Sequence, residues 1–183
     1  IIGGIEYDVN KKIDLQIESY IKDFNQITNL NRNMDSNNDD QFIIESGIAK
    51  GIDLLIKYKS NKMYIWAVYS YGIITRTDDE RTYSPHFDRR HNINLVTSYK
   101  FGRKSNWKID ARWNLGSGFP FTQTQTFYEI IPFSNGIGTD YTVINGDLGI
   151  EYSELNGGRL PYYHRLDCSI SKKINLNNQS TLD

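Results

Sequence analysis

Apolar and polar residues alternate along this chain in seven runs, each with the period of two that sends successive side chains to opposite faces of a β-strand. The first run covers about residues 4–9, with Ile5, Tyr7 and Val9 on one parity. The second, from 13 to about 24, sets Ile13, Leu15, Ile17 and Ile21 against Asp14, Gln16, Glu18, Tyr20 and Lys22. In the third, about 44–58, Ile44, Ile48, Ile52, Leu54, Ile56 and Tyr58 oppose Glu45, Gly47, Gly51, Asp53 and Lys57, and Lys50 interrupts the apolar side. The fourth, 63 to about 74, carries aromatics on both parities, Tyr64 and Trp66 against Tyr69 and Tyr71, so its faces do not follow from the pattern. The fifth sets Ile93, Leu95, Thr97, Tyr99 and Phe101 against Asn92, Asn94, Ser98 and Lys100. The sixth sets Trp107, Ile109, Ala111, Trp113 and Leu115 against Lys108, Asp110, Arg112 and Asn114. The seventh sets Leu166, Cys168, Ile170 and Ile174 against Arg165, Asp167, Ser169, Ser171 and Lys173. No helical period competes, and the runs predict an all-β, antiparallel up-and-down meander of about seven strands.

The connections alternate in length. Residues 10–12, 59–62, 102–106 and 175–180 make short gaps, whereas about 25–42, 75–91 and 118–162 make long ones. A barrel crossing a membrane sorts its loops this way, with tight turns in one compartment and long loops in the other. Strands of about 11 residues, rising roughly 3.3 Å each and tilted by some 40°, project onto about 28 Å, close to a bilayer's hydrocarbon thickness. Tyr58, Tyr64, Trp66, Tyr99, Phe101 and Trp107 flank the short turns, where a headgroup-level girdle belongs. A one-faced sheet in a soluble protein gives the same alternation, but neither the loop parity nor the placement of the aromatics.

Composition narrows the function classes. The net charge of −1 offers no basic field for nucleic acid or for an anionic membrane surface. Three His and one Cys are too few for a zinc cluster, and Cys168, at an apolar-parity position, reads as a buried or lipid-facing small hydrophobe. Mean hydropathy is −0.57 and no stretch is apolar for the 18 or so residues of a membrane helix, which leaves a barrel untouched. Ile1-Ile2-Gly3-Gly4 is already strand-like rather than a signal peptide, and 179–183 looks like the beginning of another strand. The expectation is an internal piece of something larger.

Five segments, in order and spacing, carry a family likeness. Residues Gly47-Ile48-Ala49-Lys50-Gly51-Ile52-Asp53-Leu54-Leu55 lead through a short Lys turn into Trp66-Ala67-Val68-Tyr69-Ser70-Tyr71. Then come Asp88-Arg89-Arg90-His91-Asn92-Ile93-Asn94-Leu95, Gly116-Ser117-Gly118-Phe119-Pro120-Phe121-Thr122 and Leu160-Pro161-Tyr162-Tyr163-His164-Arg165-Leu166-Asp167. From about residue 4 to 173 the chain resembles the C-terminal barrel strands of TonB-dependent outer-membrane receptors, particularly those typical of Bacteroidota. The resemblance implies a segment of a transmembrane β-barrel of about 22 strands with a plugged lumen. It also implies capture of a scarce nutrient, such as a siderophore, cobalamin, oligosaccharide or peptide, by outer loops and lumen, and import driven through TonB. The partners implied are outer-membrane lipid, the receptor's own plug domain and the TonB complex through regions outside this chain, and a surface lipoprotein. Neither plug nor aromatic-terminated last strand is recognisable here.

Local chemistry fits a wall segment rather than an enzyme. Nothing resembles an activated Ser–His–Asp set, Gly116-Ser117-Gly118 is not a nucleophile elbow, and no cofactor is called for. Gly116-Ser117-Gly118-Phe119-Pro120 should end the sixth strand, and Leu160-Pro161 should mark the start of the seventh, with Tyr163 and His164 hydrogen-bonding at the outer rim. Asp35-Ser36-Asn37-Asn38-Asp39-Asp40 begins like a calcium loop, but Asp40 stands at the required Gly and Ser46 at the bidentate Glu, so it reads as a solvated loop. The same holds for the acidic run Asp78, Asp79, Glu80 and Asp88 near His86 and His91, and no metal site is expected. Glu18, Lys22, Asp53, Asp110, Arg112, Arg165 and Asp167 share the polar parities and should face a lumen, paired across strands or with the plug. Candidate substrate-binding residues of the outer loops are Phe127, Tyr128, Tyr141 and Tyr152, with Phe133 nearby, and Tyr163 and His164. A soluble or surface-displayed β-domain binding glycans and a passive outer-membrane channel remain alternative readings.

Overall fold

A computed structural model of the chain describes residues 1–30, 41–79, 81–130, 147–177 and 180–182. They form fourteen strands: β1 (Ile2–Asn10), β2 (Ile13–Leu30), β3 (Phe42–Lys59), β4 (Met63–Thr77), β5 (Thr82–Tyr83), β6 (His91–Phe101), β7 (Trp107–Gly116), β8 (Pro120–Phe121), β9 (Thr124–Ile130), β10 (Asp147–Tyr152), β11 (Gly158–Arg159), β12 (Tyr163–Lys172), β13 (Ile174–Asn177) and β14 (Ser180–Leu182). The described residues contain no helix. The seven long strands make one antiparallel sheet in the order β1-β2-β3-β4-β6-β7-β12, and β5 adds to β4. This is the up-and-down meander that the alternation predicts. The sheet is open, with β1 and β12 at its edges.

Pairing assigns every strand its faces. One row across all seven reads Tyr7, Leu15, Ile56, Ala67, Leu95, Trp113 and Leu166; its neighbour reads Ile5, Ile17, Leu54, Tyr69, Ile93, Leu115 and His164. The opposite face carries the row Gly4, Glu18, Asp53, Ser70, Asn92, Gly116 and Tyr163. The fourth strand, ambiguous in sequence, is thereby settled: Tyr69 and Tyr71 join the apolar face, while Tyr64 and Trp66 lie on the polar one. Those two therefore do not belong to a girdle on the apolar side. Tyr58, Tyr99, Phe101 and Trp107 do, and Phe101 stacks on Tyr99 at 6.3 Å and on Trp107 at 6.0 Å.

The turns at 10–12, 59–62 and 102–106 gather at one end of the sheet. Backbone hydrogen bonds tie Lys59 to Lys12, Lys100 to Lys62 and Lys173 to Asn106, at 2.8, 2.7 and 2.8 Å. At the other end the strands overrun the expected boundaries. A bulge between Phe24 and Ile27 shifts the register of β2 by one, so Ile27 and Asn29 turn toward the face of Glu45 and Gly47, and the ladder continues to Leu30. That parity inversion is why the strand seemed to stop at about residue 24. Between 118 and 162, expected as loop, β9 pairs β10 and, flanking them in sequence, β8 pairs β11, in two separate two-stranded sheets. Ile174, expected in the seventh strand, begins β13, which pairs with β14 apart from the main sheet.

Candidate functional site: the two faces and the long-loop end

The apolar face is uncovered. Ile5 is 74% exposed, Ile17 52% and Leu166 61%, values that an ordinary core position never shows. The chain presents 14269 Å² to its surroundings, whereas a compact protein of 21.3 kDa exposes roughly 9,100 Å². Cys168 lies on this face beside Ala111 and is exposed, so it is not a buried small hydrophobe, one of the two expectations for it. Lys50 also projects from this face, between Ile21 and Ile73 toward the long-loop end, where its ammonium can reach polar surroundings.

All seven residues expected to share a lumen do share the polar face. Their pairing differs from the expectation of cross-strand ion pairs. Glu18 stands directly opposite Asp53, two like charges, and Lys22 stands opposite Ala49 with its ammonium 5.3 Å from the Tyr20 ring centre. Arg165 bonds Asp167 at 3.0 Å and Lys108 bonds Asp110 at 2.8 Å, both along one strand, since i and i+2 neighbours share a face. Asp14 and Lys57 do pair across strands, at 3.9 Å.

Every buried residue among those described lies at the long-loop end, and the most enclosed are carboxylates. Glu45, 2% exposed, accepts from the Tyr83 hydroxyl at 2.7 Å and from Asn29 Nδ2 at 2.9 Å, and pairs with Arg76 at 3.4 Å. The bulge in β2 is what brings Asn29 to it. Asp88 is fully enclosed, accepts from the Ile74 N–H at 2.9 Å and from Arg90 Nε at 3.1 Å, and forms a short ion pair with Arg159, which also donates to the Asp88 carbonyl oxygen at 3.0 Å. Burial alone would push the Asp88 carboxyl up, but Arg159, the Ile74 N–H and Arg90 outweigh it and hold the carboxyl below its ordinary value. Burial, then the bond to Glu45, push the Tyr83 phenol up. Sequence reading assigned Asp88 to a solvated acidic loop. It is instead a peg joining β4, the segment before β6, and β11.

Ser117 continues this closure, its N–H and Oγ both bonded to the backbone of His91, at 2.8 and 3.0 Å. A Cβ on Gly118 would overlap the Leu160 carbonyl, so the segment before β12 packs directly on the backbone that leaves β7, where the sixth strand is expected to end. His91 itself lies on the apolar face, 2.9 Å from the Tyr69 hydroxyl and packed on Tyr71. It is not gathered with Asp88, and among the described residues no three metal-ligating side chains converge.

The expected substrate aromatics are scattered. Phe127, Tyr128 and Tyr152 are exposed on the β9–β10 hairpin, but Phe127 faces Ile150 on one side and Tyr128 covers Gly149 on the other. Tyr163 lies on the polar face and His164, paired with Leu115, on the apolar one, so they do not form a joint rim site. Tyr141, Phe133 and residues 35–40 lie outside the described residues.

Comparison with protein-family models, with curated proteins and with solved structures gives no match in any of the three.

Proposed function

We propose that this chain is part of the wall of an outer-membrane β-barrel, of the kind found in TonB-dependent receptors that import a scarce nutrient. The observation that carries the reading is the continuous apolar face, seven strands wide and uncovered. From the Phe101–Trp107 pair to His91 that face extends about 26 Å along the membrane normal if the strands tilt by some 40°, close to the apolar band of outer-membrane barrels. Aromatics bound it at the short turns, and Lys50, His91 and His164 interrupt it toward the long loops. The short turns then face the periplasm, the long loops face outside, and the polar face lines the lumen toward a plug. No residue in this reading performs catalysis.

The single cysteine supplies the test. In intact outer membranes Cys168 should resist a water-soluble maleimide and become reactive in detergent, while a cysteine replacing exposed Ser171 on the polar face should react in both when the lumen is wet. Ready labelling of Cys168 before detergent would refute the reading. The exposed Phe127, Tyr128 and Tyr152 favour a second reading, a surface-displayed β-domain that stacks glycans. That domain would fractionate with water-soluble proteins.

A further inference from the structure

The net charge of −1 is the sum of two unlike parts of the molecule. Residues 9–13, 58–63, 99–109 and 171–174, which make up the short-turn end of the sheet, hold ten of the 21 Lys and Arg and none of the 22 Asp and Glu. The remaining 11 basic and 22 acidic side chains lie elsewhere in the chain. A charge of +10 at this end is therefore hidden by one of −11 over the rest, and the near-zero total conceals a strong basic field.

Strand pairing brings the four stretches together. The Lys59 N–H donates to the Lys12 carbonyl oxygen at 2.8 Å, the Lys100 N–H to that of Lys62 at 2.7 Å, and the Lys173 N–H to that of Asn106 at 2.8 Å. Lys100 stands directly opposite Lys108 in the β6–β7 ladder. Lys108 finds a carboxylate, Asp110 at 2.8 Å. The other nine cations are exposed, and among the described residues none of them makes an ion pair. Successive turns are two strands, about 10 Å, apart, within a Debye length at about 0.1 M salt, so their charges act together. Like charges gathered in this way repel one another and gain when a surface of opposite charge covers them.

The basic rim adjoins the aromatic end of the apolar face. Phe101, Trp107 and Lys172 share one row across β6, β7 and β12, and the Lys172 ammonium lies 4.9 Å from the Trp107 ring centre. The cations thus continue from the turns onto the apolar side itself. An ammonium there, with its stem along the aromatic rings, reaches the level of lipid headgroups. A polyanion arriving from water, such as a nucleic acid, meets the turns alone, whereas an anionic lipid meets turns, rings and Lys172 together.

We infer that the short-turn end is a binding surface for anionic phospholipid headgroups, those of the leaflet that receives the aromatic end of the apolar face. Phosphate oxygens accept from the turn lysines and Arg103, and the lipid chains lie against Phe101 and Trp107. Such binding presupposes the membrane reading proposed above and adds to it the lipid class and the end that selects it.

Tryptophan quenching tests this, with the purified full chain inserted in phosphatidylcholine vesicles containing either brominated phosphatidylglycerol or brominated phosphatidylcholine. Trp107 and Trp113 lie on the apolar face and report the lipid, while Trp66, on the polar face, supplies an unquenched background. Phosphatidylglycerol should be preferred at least about five-fold at about 0.1 M salt, the fold-change of a single lysine at a charged surface, and the preference should fade near 1 M. Lys59→Gln, Lys62→Gln, Arg103→Gln and Lys104→Gln combined should remove most of it, and these exposed turn positions tolerate the change. Exchanging Lys for Arg and Arg for Lys at the same four positions should keep it. Lys22→Gln with Arg81→Gln, toward the long-loop end, should leave it unchanged. Equal quenching by the two brominated lipids, or a preference that the four-fold Gln variant retains, would overturn the inference and leave the membrane reading standing. Quenching by neither lipid would overturn both. A short DNA duplex bound as tightly as the lipid, and released in the same Gln variant, would assign the rim to nucleic acid and overturn the inference as well.

Discussion

The wall and its long-loop end hold together by opposite means. Across the wall the described side chains enclose almost nothing: the backbone ladder runs from β1 to β12, whose outer edges stay unpaired, and both faces are open. At the long-loop end Glu45, Asp88 and Ser117 are buried beside Pro85 and Pro120, and Tyr83, 8% exposed, is the one large apolar side chain buried among the described residues. Glu45 and Asp88 there bind segments far apart in sequence, with the Asp88–Arg159 pair joining elements 71 residues apart. On the proposed membrane reading, the wall relies on its surroundings for the hydrophobic contribution to folding, whereas the loop end carries its own cohesion in charge-assisted bonds. Substitutions on the wall should therefore register according to face, and those at the loop end according to partner.

The strongest break of this comparison is a charge on the uncovered face. Leu95→Arg and Ile17→Arg, near the middle of that face on well-separated strands, should each cost about 2–4 kcal/mol of stability in a bilayer, near-additively when combined. Ser171→Arg, on the polar face of an edge strand, should stay within about 0.5 kcal/mol. Equilibrium unfolding from lipid vesicles reads all of them. Equal effects on both faces would mean that the apolar face is covered by something other than lipid.

Next in size is the lock. Asp88→Asn keeps the shape but leaves Arg90 and Arg159 without their countercharge and should cost about 3 kcal/mol, at the low end for a broken buried pair because both arginines are about one-third exposed. The loss should be local. Protection of the Ile74 amide against hydrogen exchange should fall, while amides in the middle of β6 keep theirs.

These two regions also differ in how much of them the sequence disclosed. The faces of β2, β3, β6, β7 and β12 follow from period two alone, which is why Glu18, Lys22, Asp53, Asp110, Arg112, Arg165 and Asp167 fall together as expected. The β4 faces needed pairing, because Tyr64, Trp66, Tyr69 and Tyr71 give both parities the same character. The lock was illegible. Glu45 is one of two acidic positions on its strand, and Asp88 sits near Asp78 and Asp79 in a run that looks solvated. What buries them comes from Tyr83 and Arg159, whose approach depends on the β2 bulge, which has no local sequence signal, and on the fold-back after Gly116, where the Gly and Pro residues mark the end of the strand but not where the chain goes next.

A subtler probe lies within the wall, where Tyr20 crosses the paired glycines Gly51 and Gly72 of β3 and β4. A Cβ at Gly51 would lie 2.6 Å from the Tyr20 hydroxyl and 2.7 Å from the Tyr71 carbonyl oxygen. Gly51→Ala should cost about 2 kcal/mol, as overpacking does. In a Tyr20→Phe background the cost should shrink without vanishing, because the backbone carbonyl stays. A full rescue would show that only the hydroxyl matters.

The smallest effects are the pH dependences of the lock, and they isolate it from the wall. Asp88 titrates lower folded than unfolded, so its contribution is complete above the unfolded value of about 3.9 and is lost as pH falls through the folded one. Tyr83 titrates higher folded than unfolded, so its bond to Glu45 contributes fully below about 10 and is lost as pH rises through the folded value. Tyr83→Phe should cost about 1.5 kcal/mol near neutrality, the value of a hydrogen bond to a charged acceptor. The stability gap between wild type and Asp88→Asn should be flat from about pH 5 to 9 and close below about 4, whereas at the alkaline end it is the gap for Tyr83→Phe that should close, above about 10. The two gaps thus close at opposite ends of the scale, while the penalty of Leu95→Arg, whose guanidinium titrates in neither range, keeps its size at both. If all three gaps moved together with pH, the loop end and the wall would be one cooperative unit and the division between them would fail.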